Sequence, residues 1–414
     1  MDFFHCIPLE EAEQIISTVL AGSSLPQENV HLGQAAGRII AADMVSTEYI
    51  PSFSRSTVDG YAVRSSDTFG AGEGVPASLV LTGEIHMGQV SSEHLQPGQA
   101  APIPTGAMLP PGADAVVMLE QAEAVDDETI LILKAVAPGD NVIRKGEDLV
   151  PGQIIISQGQ KLGAADIGAL AACGFAIVDV YRPLTVGIIS TGDEIVDADA
   201  ALQPGQIRDI NSYALAAAVT EKGHRPIRYG IIPDEYDKLL SCLRQAAAEC
   251  QLVLVSGGSS VGARDHTVRV LEDLGGQKVI IHGLAIKPGK PTIFGMVGPV
   301  PVFGLPGHPV SALTIFDKLV AGAINRLAGA VPRRPPFAIP AVISRNVASA
   351  PGRDDFIRVR LTAAGPDYVA EPVFGKSGLI STLVQADGLV RIPTESSGLY
   401  AGDRVMVELF RSRQ

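Results

Sequence analysis

Between Ser190 and Pro309 the chain sets carboxylates, lysines and glycine-rich hydroxyl runs just beyond hydrophobic stretches, a pattern suited to phosphate chemistry. The carboxylates are Glu194, in Ser190-Thr191-Gly192-Asp193-Glu194, Asp234, after Pro233, and Asp265. Each follows a separate predicted strand, so the three form a candidate Mg²⁺ site of oxygen ligands and water. Ser256-Gly257-Gly258-Ser259-Ser260-Val261-Gly262 directly follows another apolar run. Its glycines let backbone amides approach an anion closely, and a helix starting behind them adds a favourable dipole. No Gly-Lys-Ser or Gly-Lys-Thr follows, so this is not a P-loop. Lys287-Pro288-Gly289-Lys290-Pro291 places two cations on a stiff loop. Gly304-Leu305-Pro306-Gly307-His308-Pro309 adds a further strand-end turn with a titratable histidine.

Each group also has a structural alternative. The glycine run can be a plain tight turn, and Asp234 can cap the helix that begins near Tyr236. Asp265 can simply favour a helix dipole, and surface lysines are usually solvated. Against separate structural roles stands topology: loops at the carboxyl ends of parallel strands line one crevice, where four such loops can meet over one ligand. No Ser-His-Asp signature, Cys-His pairing or zinc spacing is present, and the eight histidines are scattered.

The elements that must position these residues follow from periodicity. Pro8 to Ile16 and Leu32 to Ala42 are expected to be helical, and Leu162 to Cys173 forms a helix stopped by Gly174. Tyr49 to Ala62 has little periodicity, and from there to about Asp140 short β-like runs such as Ala115 to Leu119 are punctuated by Pro-Gly and Thr-Gly turns. After Pro183, buried runs at Leu184–Ser190, Pro226–Ile232, Gln251–Val255, Val279–Ile281 and Val300–Phe303 alternate with helices near 211–222 and from Tyr236 onward. Such alternation predicts a doubly wound, mostly parallel, three-layer sheet domain. The run Val331 to Pro336 suits a linker, and beyond it Phe356–Leu361 and Arg404–Leu409 alternate with period two, predicting an all-β, barrel-like domain.

The expected organisation is therefore a multidomain α/β plus β chain. Residues 1–50 and 143–182 form an elongated, discontinuous helical and β unit, and 51–142 a small inserted β domain. Residues 183–330 form the α/β domain and 331–414 the C-terminal β domain. A chain of 414 residues exceeds one ordinary core, and 46% hydrophobic with 19% charged residues fits a folded protein. The net charge of −13 argues against non-specific nucleic-acid binding, so an anionic ligand must meet local positive charge. Cys6, Cys173, Cys242 and Cys250 form no C-x-x-C pair and are expected to be reduced. Met1 to Glu13 lacks a basic start, and Gly163 to Val180 is interrupted by Asp166 and Asp179. The expectation is a cytoplasmic protein with no membrane span.

These motifs, with Arg55-Ser56-Thr57-Val58-Asp59-Gly60-Tyr61-Ala62 and Pro104-Thr105-Gly106-Ala107, resemble those of the molybdopterin molybdenumtransferases, the bacterial counterparts of the gephyrin E domain. The resemblance spans essentially the whole chain. It implies a four-domain protomer that pairs into a homodimer, with a cleft completed across the two copies. The reaction it implies takes adenylylated molybdopterin and molybdate and yields molybdenum cofactor and AMP, with Mg²⁺. By matching positions, Glu194, Asp234 and Asp265 lie around the metal and phosphates. Ser256, Gly257, Gly258, Ser259, Ser260 and Gly262 supply amides and hydroxyls. Lys287 and Lys290 neutralise phosphate or molybdate, and Pro306 and Pro309 frame the last turn. Asp59 and Thr105 reach in from a second copy, while Arg358 and Ser377 lie near the molybdate or pterin. Two departures stand out: His308 replaces the usual Asn after Leu-Pro-Gly, and Gly283 stands where some relatives have Lys. A pterin carrier without turnover and a molybdopterin adenylyltransferase remain as alternatives; the three carboxylates argue against the first and the extra β domains against the second.

Overall fold

A computed structural model describes residues 6–23, 26–90, 94–257, 261–331 and 337–410, and of 261–265 the backbone only. The proline-rich run at 332–336, expected to be a linker, lies outside the described residues.

Helix α1 (Leu9–Val19) buries Leu9, Ala12 and Ile16, spaced three and four apart on one face. Those side chains share a core with Leu184, Val186 and Ile324. The helix expected to belong with the first unit therefore packs on the α/β unit. Leu32 to Ala42, expected as a helix, is helical only over Leu32–Gln34 in a 3-10 turn. Its backbone is taken by other segments: Gly37 N donates to Leu162 O at 2.8 Å and Ile40 N to Gln160 O at 3.0 Å. Long-range pairing within the chain there overrides a marginal helix propensity. The expected helix before Gly174 is present as α2 (Ala164–Ala172). It ends in a Schellman arrangement, with Gly174 at φ +81° and Phe175 N bonded to Leu170 O at 3.0 Å.

The inserted stretch forms a six-stranded sheet in the order Ala115–Met118, β1 (Gly60–Val63), β2 (Gln99–Ile103), Ala77–Leu81, Thr129–Ile132, Ala122–Ala124. Alternate residues fill two small cores, Ala62, Ala101 and Val116 on one face and Val63, Ala100 and Val117 on the other.

The α/β unit holds a second six-stranded sheet. Four strands are parallel, in the order β4 (Arg225–Ile232), β3 (Thr185–Thr191), β5 (Leu252–Gly257) and β8 (Val300–Leu305). β7 (Ile293–Val297) pairs antiparallel with β8 and Ile281–His282 antiparallel with β7, so the expected strand at Val279–Ile281 is shorter and lies at the edge. Along β3 and β5, Ile188 and Leu254 face a core shared with α3 (Asn211–Glu221) and α6 (Pro309–Ile315). Ile189, Val253 and Val255 face the other way, toward α4 (Tyr236–Glu249) and the buried Val270 and Leu271 of α5 (Val261–Gly275). Burial on both sides explains why these strands read as unbroken apolar runs.

Helix α6 continues through a π-helical segment, Phe316–Val320, into α7 (Ala321–Leu327). The last unit is a closed sheet of β9 (Ala338–Ile343), β10 (Asp354–Ala364), β11 (Asp367–Pro372), β12 (Gly388–Ile392) and β13 (Arg404–Leu409). Pairing of β10 with β12 closes the ring around Val359, Ala370, Val390 and Val407. The two-residue strand β6 (Ile286–Lys287) leaves the α/β unit and adds parallel to β10, with Lys287 opposite Asp355. No helix of the described residues is long and apolar enough to cross a membrane.

Candidate active site

The carboxyl ends of the parallel strands bring the expected loops onto one sheet edge in the order β4, β3, β5, β8. At about 4.8 Å per strand, the edge from the turn after β4 to that after β8 runs about 14 Å. Asp234 follows β4 and Glu194 follows β3, side by side. The Asp234 amide donates to Asp193 Oδ1 at 3.1 Å. Burial, and then the nearby Asp193 and Glu194 carboxylates, raise the Asp234 carboxyl above its ordinary range, against the pull of His266. Asp234 does not cap α4; Glu235 occupies that position, with no side-chain cap bond.

Asp265 is not at a helix start, because α5 begins four residues earlier at Val261; its side chain lies outside the description. His266, the next residue, is a neighbour that sequence reasoning missed. Its ring centroid is 6.3 Å from that of Tyr236, and its Nδ1 is buried without a hydrogen-bond partner. Among the described residues, no three His, Cys, Asp or Glu side chains are grouped so as to hold a metal. Glu194 and Asp234, crowded by like charge, are nonetheless the kind of hard oxygen donors that a divalent cation relieves.

Next along the edge, Gly257 meets the Thr191 end of β3. Its φ is +142°, and a β-carbon there would fall 2.0 Å from Thr191 O, so only glycine lets the two strand ends come together. Ser256 is buried, and its hydroxyl accepts from Asn211 Nδ2 at 2.7 Å. It is thus anchored inward. Gly258, Ser259 and Ser260 lie outside the described residues, and Gly262 is in the first turn of α5.

Asn211 also donates to Gly307 O at 2.8 Å, tying the turn after β8 to the end of β5. Asp209 takes Ser190 Oγ at 2.9 Å and Ser212 N at 3.0 Å, bracing the end of β3. Sequence reasoning passed over both. The available signal was the polar run Asp209-Ile210-Asn211-Ser212 opening a helix.

Beyond β8 the edge opens into a cavity of about 720 Å³ between the α/β unit and the closed barrel. Lys287, Lys290, Pro306, Arg358 and Ser377, named separately from the sequence, all line it, with His308 beside them. Pro309, the first residue of α6, is buried just behind. His308 Nδ1 and Ser377 Oγ are 3.0 Å apart, and Val310 N donates to Ser377 O at 3.2 Å, so the barrel segment is stitched to the turn after β8. Lys287 is part of β6 and not of an irregular loop, because its backbone pairs with β10.

Arg358 is 7% exposed, and its Nε has no hydrogen-bond partner. Its guanidinium lies 5.0 Å from the centre of the Phe410 ring. Burial lowers its pKa to about 10, opposed by Asp317, so it stays cationic at neutral pH. A buried, under-partnered guanidinium facing a cavity suits a tetrahedral oxyanion.

Asp59 and Thr105 are brought together, but at strand ends of the inserted sheet, and neither lines this cavity. Thr105 donates to Asp59 Oδ1 through its amide at 2.7 Å and its hydroxyl at 3.0 Å. The amide first, and then the hydroxyl, hold the Asp59 carboxyl below its ordinary range. Gly60 makes this possible: a β-carbon there would sit 1.9 Å from Val117 O.

Known proteins share this architecture. Residues 7–174 match the family described as MoeA N-terminal region (domain I and II), 187–326 the probable molybdopterin binding domain, and 340–410 the MoeA C-terminal region (domain IV). The chain is 37% identical to a molybdopterin molybdenumtransferase of Haemophilus influenzae, over 92% of this chain and 94% of that one. To the protein of that name from Nostoc it is 36% identical, over 92% of this chain and 88% of its relative. The crystal structure of a molybdopterin biosynthesis MoeA protein from Pyrococcus horikoshii superposes with a TM-score of 0.84 at 31% identity, covering 98% of this chain and 100% of that one. The chain belongs to the MoeA family of molybdopterin molybdenumtransferases, enzymes of molybdenum cofactor biosynthesis.

Proposed function

We propose that this chain inserts molybdate into adenylylated molybdopterin, releasing AMP and molybdenum cofactor in a Mg²⁺-dependent step. The observation that carries the reading is the continuous edge from the Asp234 and Glu194 carboxylates, past Gly257, to the cationic cleft around Lys287, Lys290 and Arg358. An elongated substrate with a phosphoanhydride near one end and an oxyanion to be seated at the other matches that layout.

In this reading Glu194, Asp234 and Asp265 hold Mg²⁺, whose bound charge would offset the phosphates during cleavage. Amides of the segment 257–262 face the phosphate oxygens, with the α5 dipole behind them. Lys287, Lys290 and Arg358 hold the oxyanion, and Ser377, set by His308, offers a hydroxyl. Asp59 and Thr105 of the partner subunit complete the site in a homodimer; within one chain neither lines the cleft, which fits that arrangement. We further assign the enzyme to the cytoplasm, and take residues 1–50 with 143–182, 51–142, 183–330 and 331–414 as its four domains.

The test supplies purified protein with adenylylated molybdopterin, molybdate and Mg²⁺, omitting one at a time. AMP is expected only when all are present. Turnover without Mg²⁺, or pyrophosphate release from molybdopterin and ATP, would overturn the reading.

A further inference from the structure

Two cations of the cleft are tied to one carboxylate that does not line it. Asp355 is 0% exposed. Its Oδ1 accepts from Arg353 Nε at 2.9 Å, and its Oδ2, which accepts no hydrogen bond, faces Lys287 Nζ at 3.5 Å. Arg353 and Lys287 both line the cavity. The pairing of β6 with β10 sets Lys287 opposite Asp355, so the contact crosses from the α/β unit to the barrel. Burying a carboxylate is costly, and one left with an unfilled acceptor behind two cavity-lining cations does more than fill space.

We infer that Asp355 is a positioning residue of the cleft, which holds Lys287 and Arg353 at the wall already aimed at an oxyanion. The inference rests on the oxyanion reading of the cleft. Removing Asp355 has two consequences of opposite sign. Loss of a negative charge favours an anion nearby, while loss of the anchor frees the long Lys287 side chain, whose rotamers binding must then order again. The second prevails, because two flanking cations already offset the carboxylate's field in the cleft, whereas Lys287 is half-exposed and flexible.

The experiment titrates molybdate alone into the full-length protein by calorimetry, at fixed ionic strength. Asp355→Asn is expected to weaken binding about tenfold despite the added net positive charge, and to weaken it less in a Lys287→Ala background, where only the Arg353 anchor is left to lose. Binding equal to or tighter than wild type, or additive losses in the double variant, overturns the role of Asp355. If the Asn variant does not fold, Asp355→Glu decides: it keeps the charge and moves it by one methylene, so weaker binding supports positioning and unchanged binding overturns it. Failure of the wild-type protein to bind molybdate, or a silent Lys287→Ala change, instead removes the oxyanion reading on which the inference rests.

Discussion

Two carboxylates are tuned in opposite directions, and each shift makes its own demand. Asp59 is lowered by the Thr105 amide and hydroxyl, so the pair stabilises the fold above the carboxyl's unfolded pKa and loses that contribution as pH falls through the folded value. Thr105→Ala removes the hydroxyl and leaves the amide. The acidic limb of the pH–rate profile for AMP release should therefore move up in pH, and an unmoved limb would count against Asp59 acting as the ionised form. Asp234 is raised, so the stability it costs is nil at low pH, grows as pH rises above its unfolded value and is complete above the raised one. Asp234→Asn should melt higher than wild type at neutral pH, lose the thermal stabilisation by Mg²⁺, and lose activity on the order of 100-fold. A variant that melts lower, or that Mg²⁺ still stabilises, would remove Asp234 from the metal site.

At the scale of elements, the strand ends are set by glycine contacts that no side chain can replace. Gly257→Ala would drive a β-carbon against Thr191 O and should cost more than about 2 kcal/mol, read as a fall in the thermal midpoint. Gly168, in the middle of α2 with open space around it, is the contrast: Gly168→Ala should stabilise by about 0.5–1 kcal/mol. The apolar runs of β3, β5 and β8 and the Gly174 stop of α2 were legible because burial on both faces and helix capping leave local marks. Leu32 to Ala42 misled, because its backbone bonds go to residues more than a hundred positions away. Asn211 and Asp209 were illegible for a related reason: a helix-opening polar residue looks the same whether it caps its own helix or ties two distant turns.

For the whole molecule, the cleft depends on how the barrel sits against the α/β unit. Lys318, in the π-helical segment, is 10% exposed at its side chain and pairs with Glu408 of β13 and with Asp317 at 3.2 Å. Its ammonium also lies 5.2 Å from the Phe356 ring. Lys318→Ala leaves Glu408 without this partner and should cost roughly 2 kcal/mol, with the barrel and sheet unit melting in separated transitions by calorimetry. A single transition at the wild-type midpoint would mean that the pair does not couple the units. The sequence alone determined the chemistry available here, carboxylates, glycine amides and lysines after successive buried strands, since residue type, periodicity and punctuation are local properties. It also carried enough ordered motifs for the family resemblance. Only the tertiary structure decided that Arg358 is buried facing a cavity, that Asp355 stands behind Lys287, and that Asp59 and Thr105 lie together without lining that cleft. Those relations come from barrel closure, strand addition and sheet order, which join residues far apart in the chain and leave no periodic trace along it.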